Sequence, residues 1–393
     1  MRRKKDFWTF QFYGVLDTIG SRMVGIFIPI LLLSTGFSIR EVLLYYLIMY
    51  AINVPFNLVG RSSVCRFGAK NTIIIATVLH ILFFVAYLFA ESGNLTMILL
   101  LAIFAATYDA LYYVALYYLY DSTIKDEKNI SENTGISFAL QNIAQVVSPI
   151  IGSVVILTTN DKVGATVLAI LVLLLSLVPL SRIPRVEKTG KYCKMNMPWE
   201  KVWKNRNVFY NLFSLFTFRL HLHVEWIIWS IFIFLIFQNQ LEAVAIIAVG
   251  IPLFKIIGAF LIGKISREKK HIFIILGATA LLLIWIARTT FETSTVVYLT
   301  TMLAGMLGLM VNIPIESRLI AQAHHERPLF FSMIRNMVSM SSGLVLFAVL
   351  YLSTKIFDIG FMIAIYSLAA LLLFEIIHMA TSHQDNAELK KLK

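Results

Sequence analysis

The sequence predicts an all-α integral membrane protein with twelve transmembrane helices arranged as two pseudo-symmetric six-helix bundles. Three observations predict it. Of 393 residues, 59% are apolar and only 14% charged, where soluble domains run at roughly 45–50% and 25%. The apolar residues gather into twelve runs, each near the ~20 residues that cross a bilayer, rather than the short alternating segments of a β-barrel. The basic residues fall almost entirely between alternate runs. Together these exclude an ordinary soluble enzyme.

The runs, bounded by charged or Gly/Pro/Asn-containing breaks, span about 9–34, 42–61, 71–90, 96–120, 135–157, 163–182, 208–236, 243–263, 271–290, 295–317, 329–352 and 359–380. The first follows Met1-Arg2-Arg3-Lys4-Lys5; its apolar stretch is much longer than a signal-peptide core, so no cleavable leader is expected. With the N-terminus inside, the termini and loops on that side carry 26 of the 34 Lys and Arg, and the outer loops carry 4. This asymmetry sets both termini in the cytoplasm, in a multi-pass protein of the cell (inner) membrane. The formal charge of +12 is therefore a topology signal, and no nucleic-acid partner is expected.

With basic residues at the run ends counted among the loops, four remain inside the runs: Arg22, Arg219, Lys255 and Arg335. Charge in the bilayer is costly to retain, so they are functional candidates. The longest inner loop, 183–207, separates six runs from six as a basic linker between the bundles at 1–182 and 208–393, the last with a short cytoplasmic tail. With Arg182 at its edge it carries eight basic residues, and a solvated linker near anionic lipid is the expected reading. Cys65 and Cys193 are too few and too far apart to be a disulfide framework or a metal-ligand set. A shift of about 201 residues pairs Glu41 with Glu242, Arg66 with Arg267 and Glu91 with Glu292. A slightly shorter shift pairs Asp121-Ser122 with Glu316-Ser317 and Asn142 with Asn336, consistent with two parallel six-helix repeats.

After the second run stands Gly60-Arg61-Ser62-Ser63-Val64-Cys65-Arg66-Phe67-Gly68-Ala69-Lys70. With the six-plus-six organisation, this resembles the major facilitator superfamily, whose loop motif is G-x-x-x-D-R-x-G-R-K. One extra residue separates the glycines, and Cys65 stands where the family has Asp. Gly258 to Lys270 is a degenerate equivalent after the eighth run. The resemblance implies a conformational latch between Arg66 and Asp121, and between Arg267 or Lys264 and Glu316. Ser148-Pro149-Ile150-Ile151-Gly152 is similar to the family's Gly-Pro-x-x-Gly, found mainly in antiporters, and leans toward export. The arginine that proton-coupled exporters often carry early in the fourth helix is missing from Thr96–Thr107.

Five acids fall within the runs: Asp17, Asp109, Glu225, Glu316 and Glu375. Asp17, Asp109 and Glu225 lie near mid-helix, where a carboxylate must be paired, hydrated or protonated. They are the candidate proton-coupling groups, with His221. Asp17 shares a helix face with Tyr13 and Gly14; Arg22 lies about 140° around. In Arg219-Leu220-His221-Leu222-His223-Val224-Glu225, His221 and Glu225 face one way and Arg219 and His223 roughly the other. That pattern fits a proton relay or substrate contact, or structural ion pairing. A metal site is disfavoured because the histidines are two apart.

Asp109 is surrounded in sequence by Tyr108, Tyr112, Tyr113, Tyr117 and Tyr118. Aromatic faces beside a carboxylate suit an organic cation, although tyrosines also pack between helices. Candidate substrate contacts are Tyr13, Arg22, Tyr108, Tyr112, Gln141, Gln145, Arg219, His223 and Arg335. Asn53, Asn57, Asn312 and Asn336 supply polar glue, Lys255 follows the bend at Pro252, and Glu375 and His378 read as interfacial. No phosphate loop, nucleophile elbow or zinc helix is present in the sequence, so no enzyme activity, cofactor or metal is expected. The leading expectation is a monomeric secondary-active transporter, exporting small, partly hydrophobic or cationic compounds in exchange for protons. Symport of a polar solute such as a sugar or nucleoside is the alternative, and a non-transporting scaffold or sensor the third.

Overall fold

The computed structural model describes residues 2–25, 27–91, 93–123, 130–159, 162–183, 193, 199–237, 254, 270–291, 293–325 and 328–391. Helices run through eleven of the twelve expected segments; the eighth, 243–263, and with it Lys255, lies outside the described residues. In the N-terminal half these are α1 (Arg2–Gly25), α2 (Ile28–Ser34), α3 (Ile39–Phe67), α4 (Ala69–Leu88), α5 (Leu95–Thr123), α6 (Ile130–Thr159) and α7 (Lys162–Arg182). A short α8 (Trp199–Lys204) leads into α9 (Arg206–His223), a π-helical turn (Val224–Ile228) and α10 (Trp229–Ile236). Then follow α11 (Lys270–Thr290), α12 (Ser294–His325), α13 (Pro328–Leu352) and α14 (Ile356–Lys391). Among the described residues, ten spans are long and apolar enough to cross a membrane. Within α6 the apolar stretch is the shorter Leu140–Ile156.

Local chemistry explains the boundaries. The first expected helix is split by a turn at Phe27, with Pro29 in the first turn of α2, where a missing N–H costs nothing. Ser38 and Glu41 form a capping box at the start of α3, each side chain satisfying the other's backbone N–H. Gly68, at φ +85°, makes the corner between α3 and α4 that a residue with a Cβ resists. Lys70 then donates to the carbonyl of Ile183 at 2.9 Å, tying the start of α4 to the end of α7.

The packing repeats between halves, as two pseudo-symmetric bundles require. Helix α1 packs on α6 and α7, while its counterpart α9 packs on α13 and α14. The α4–α5 and α4–α7 contacts match α11–α12 and α11–α14. Close approaches use glycine: a Cβ at Gly60 would sit 2.6 Å from the Ala110 carbonyl oxygen, and one at Gly152 would collide with that of Met23. The Gly of the Ser-Pro-x-x-Gly run therefore lets α6 meet the backbone of α1. The halves meet along α3 and α13, where Tyr46 stacks on Phe347 at 5.0 Å between ring centroids and Gly343 faces the ring of Tyr50.

Two expectations are corrected. Cys65 and Cys193 form a disulfide with Cα atoms 5.7 Å apart; the fold brings the end of α3 to the linker across 128 residues of sequence. The basic residues inside helices also exceed the expected four among the described residues. Arg288 belongs to α11 and is 3% exposed, and Arg318 belongs to α12.

Candidate functional site

Helices α1, α3 and α5 of one half and α9, α12 and α13 of the other carry buried and half-buried polar groups that meet between helices. Asp17 is buried and accepts from the hydroxyls of Tyr13, at 3.4 Å, and Tyr112. Tyr112 therefore serves Asp17 on α1 rather than Asp109, three residues before it. Tyr108 stacks on His80 at 3.8 Å and leans on Tyr112, and the aromatic row continues through Tyr113 to Tyr117.

Asp109 collects amides. Asn53 donates to its Oδ2 at 2.7 Å and Asn336, from the opposite half, at 3.4 Å. Asn336 also donates to Asn57 Oδ1 at 2.9 Å, and Asn57 donates to Asn53 Oδ1 at 2.9 Å. Every N–H in this ring runs toward the carboxylate, which only accepts. Beside it, Tyr50 Oη lies 3.0 Å from His223 Nδ1, and His223 Nε2 lies 3.3 Å from the Ser339 carbonyl. A carbonyl can only accept, so Nε2 carries the hydrogen and Nδ1 of the neutral ring accepts from Tyr50. The two networks bind α3 and α5 to α9 and α13.

The charged residues of the other half are paired. Glu316 accepts from Arg219 at 2.7 Å and also meets Arg335, whose guanidinium lies 3.8 Å from the Tyr117 ring across the seam. Glu225 takes both terminal nitrogens of Arg288, at 2.6 and 2.8 Å. The Arg288 guanidinium lies over Trp229 and Trp285, at 4.1 and 4.7 Å. Trp285 donates to His221 Nδ1 at 3.1 Å. His221 and Glu225 thus both face α11, while Arg219 and His223 face α12 and α13. The π turn begins just before Glu225 and reorients the helix there.

The other expected site residues lie as follows. Arg22 is half-buried, 5.8 Å from the Trp226 ring of the opposite half. Gln141 and Gln145 are half-buried on α6, with Gln141 beside Gly14. Arg66 is exposed with its guanidinium 5.4 Å from the Phe67 ring. Arg267, Lys264 and the side chain of Asp121 lie outside the described residues, while Glu316 is engaged by Arg219 and Arg335 of its own half. Sequence reasoning missed Arg288, Arg318 and His271. The first two stand at the ends of apolar runs and read there as loop charges.

The sequence model of the Major Facilitator Superfamily matches residues 12–347. The chain belongs to that superfamily. Among solved structures it is similar to a bacterial homologue of the human drug peptide transporters PepT1 and PepT2, with TM-score 0.71, 11% identity and all of both chains covered. It is also similar to a bacterial homologue of the iron transporter ferroportin in an outward-facing state, with TM-score 0.68, 14% identity, and 95% of this chain and 99% of the other covered. The human organic anion transporter MFSD10 (TETRAN) gives TM-score 0.69 and 12% identity, with 95% and 100% covered. At these identities the likeness is one of fold. No curated protein matches the sequence. Membership in the superfamily makes the chain a multi-pass membrane protein with a secondary transporter's fold, in a superfamily whose transporters bind small molecules.

Proposed function

We propose that this superfamily member exports small, partly hydrophobic or cationic compounds in exchange for protons. It acts as a monomer in the cell membrane with both termini cytoplasmic. The observation that carries this reading is a difference between acids. Glu225, Glu316 and Glu375 each meet an arginine, whereas among the described residues Asp17 and Asp109 meet only hydroxyls and amides. A carboxylate that no cation touches directly, in a low-dielectric site, takes up a proton or a cation. The rings of Tyr108, Tyr112 and Tyr113 offer π faces to the cation.

Coupling follows from the amide ring. Protonating Asp109 removes the charge that strengthens its two amide bonds, which weakens the long tie from Asn336 and biases residues 1–182 to rock against 208–380. Asp17 and Asp109 thus exchange protons for substrate, while His221 and Glu225 hold α9 to α11. Adding a lipophilic cation to acid-interior inverted vesicles should release protons, and Asp109→Asn should lower that release more than tenfold. No proton release across a panel of such cations would sink export.

A second reading, symport of a polar solute, draws on the Arg219–Glu316–Arg335 cluster. An anionic substrate group could take the place of Glu316 between the two arginines. Ligand uptake by cells that is lost in Asp17→Asn would favour it. A scaffold would show neither flux.

A further inference from the structure

Away from the seam, on the side of the basic loops, the last membrane turns of α14 carry Glu375 and His378. Their i, i+3 spacing puts both on one helix face, an arrangement that supplies metal ligands in helical bundles. His271, at the start of α11, completes a set whose ligand atoms all lie within 4.8 Å of one another. We propose that these three residues bind a divalent transition-metal ion, with zinc the best match to two imidazoles and a carboxylate.

The surroundings fit a ligand set. Glu375 Oε1 is already held by Ser214 at 2.8 Å and Arg318 Nη1 at 3.2 Å. Its Oε2, which meets His271 Nδ1 at 2.9 Å and Arg318 Nη2 at 2.9 Å, is the oxygen turned toward the imidazoles. Oε1 can therefore keep its outer partners while Oε2 ligates, the usual support of a metal-bound carboxylate. Tyr210 stacks flat on His378 at 4.9 Å and fixes its ring plane. His271 has 25% of its side chain exposed and gives the ion a route in.

The geometry and charge also set limits on affinity. Ligands around zinc at about 2.0–2.1 Å stand about 3.3 Å apart, so side-chain rotation must open the His271–Glu375 pair slightly from 2.9 Å and draw the wider separations, up to 4.8 Å, inward. Glu375 and Arg318 cancel, so the ion enters a neutral site and feels the guanidinium's repulsion. Arg318 thus opposes binding. All three ligands stand in one half, and rocking the halves leaves the set together. The site is independent of Asp17 and Asp109.

Titrating zinc alone into the purified full-length protein tests this, read by thermal unfolding and by calorimetry, with cobalt(II) visible absorption as an independent signature. Zinc should raise the unfolding temperature, and His271→Ala and His378→Ala should each weaken binding at least tenfold. Arg318→Gln should tighten it at least threefold. Should Arg318→Gln not fold, Arg318→Met, which removes the charge with another long side chain, should tighten it in the same direction. Absence of zinc binding at 100 µM in the wild type, equal affinity in the His271→Ala/His378→Ala double variant, or weaker binding in the folded Arg318 variant would each overturn the proposal.

Discussion

Replacing Glu225 by Gln separates a structural carboxylate from a proton carrier. In the wild type the carboxylate receives two charge-assisted bonds from Arg288, at 2.6 and 2.8 Å, with the Arg288 side chain fully buried and Glu225 10% exposed. Glutamine keeps the shape but removes the charge, leaving a buried guanidinium held by Thr300 at 3.2 Å, Thr301 at 3.5 Å and two indole faces. Removing one partner of such a pair costs about 3–5 kcal/mol, and the indoles return roughly 1–2 kcal/mol by holding the cation in place. The net loss is about 1–4 kcal/mol. At roughly 2–4 °C per kcal/mol for a unit of this half's size, Glu225→Gln should lower the unfolding temperature by about 2–16 °C.

The partner experiment is Glu225→Gln/Arg288→Met. With both charges gone, the site is an apolar slot between Trp229 and Trp285, and buried pairs replaced in this way are often neutral. The double variant should recover at least half of the loss, measured by fluorescence-detected unfolding in detergent. Transport per folded molecule should survive in both. A Glu225→Gln protein that unfolds at the wild-type temperature but has lost proton-coupled flux would refute the reasoning and make Glu225 a proton carrier.

Other outcomes follow from the same contacts. Asn336→Leu removes the amide that reaches Asp109 and Asn57 across the seam, and should change the pH dependence of cross-linking between cysteines placed on α3 and α13; an unchanged profile would remove Asn336 from the coupling. Gly152→Ala should reduce folded yield severalfold, because its Cβ meets the Met23 carbonyl and neither backbone can turn aside, whereas Gly308→Ala, open for 4 Å, should be silent in the same expression assay. Tyr112→Phe takes a hydroxyl donor from Asp17 and should weaken binding of a cationic substrate less than Asp17→Asn does in a direct binding assay. Reducing the Cys65–Cys193 bridge should speed proteolysis of the linker, read by limited digestion, since it is the covalent tie between linker and α3.

Much of this fold was legible because bilayer thickness imposes run length and charge imposes loops; the described helices follow their expected runs but several extend past them, α3 to Phe67, α12 to His325 and α14 to Lys391. Partner choice was not. Arg288 stands three residues from the end of its run, where hydropathy assigns it to a loop, yet its side chain turns inward to Glu225 instead of outward to water. Tyr112 follows Asp109 closely in sequence, but helix geometry sends its hydroxyl to α1. The π turn at Val224–Ile228 leaves no compositional trace at all. Asp17 and Asp109 could be singled out from sequence because their cost is local to their own helices, whereas the amide ring needs four residues from three helices before it exists.

The charges at the seam add one step to the exchange reading. Among the described residues, Asp17 and Asp109 contribute −2, Arg22 +1, and Arg219 with Arg335 against Glu316 another +1. The site is neutral when both aspartates are ionised and +1 when one is protonated. A monovalent cation entering the ionised site gives the same +1. Proton and substrate therefore occupy states of equal total charge, and neither state carries more of the cost of holding net charge in a low-dielectric medium than the other. Binding both would raise the site to +2, which that cost opposes. On the export proposal, this charge cost disfavours binding proton and cation together, and the amide ring around Asp109 carries the choice to the opposite half.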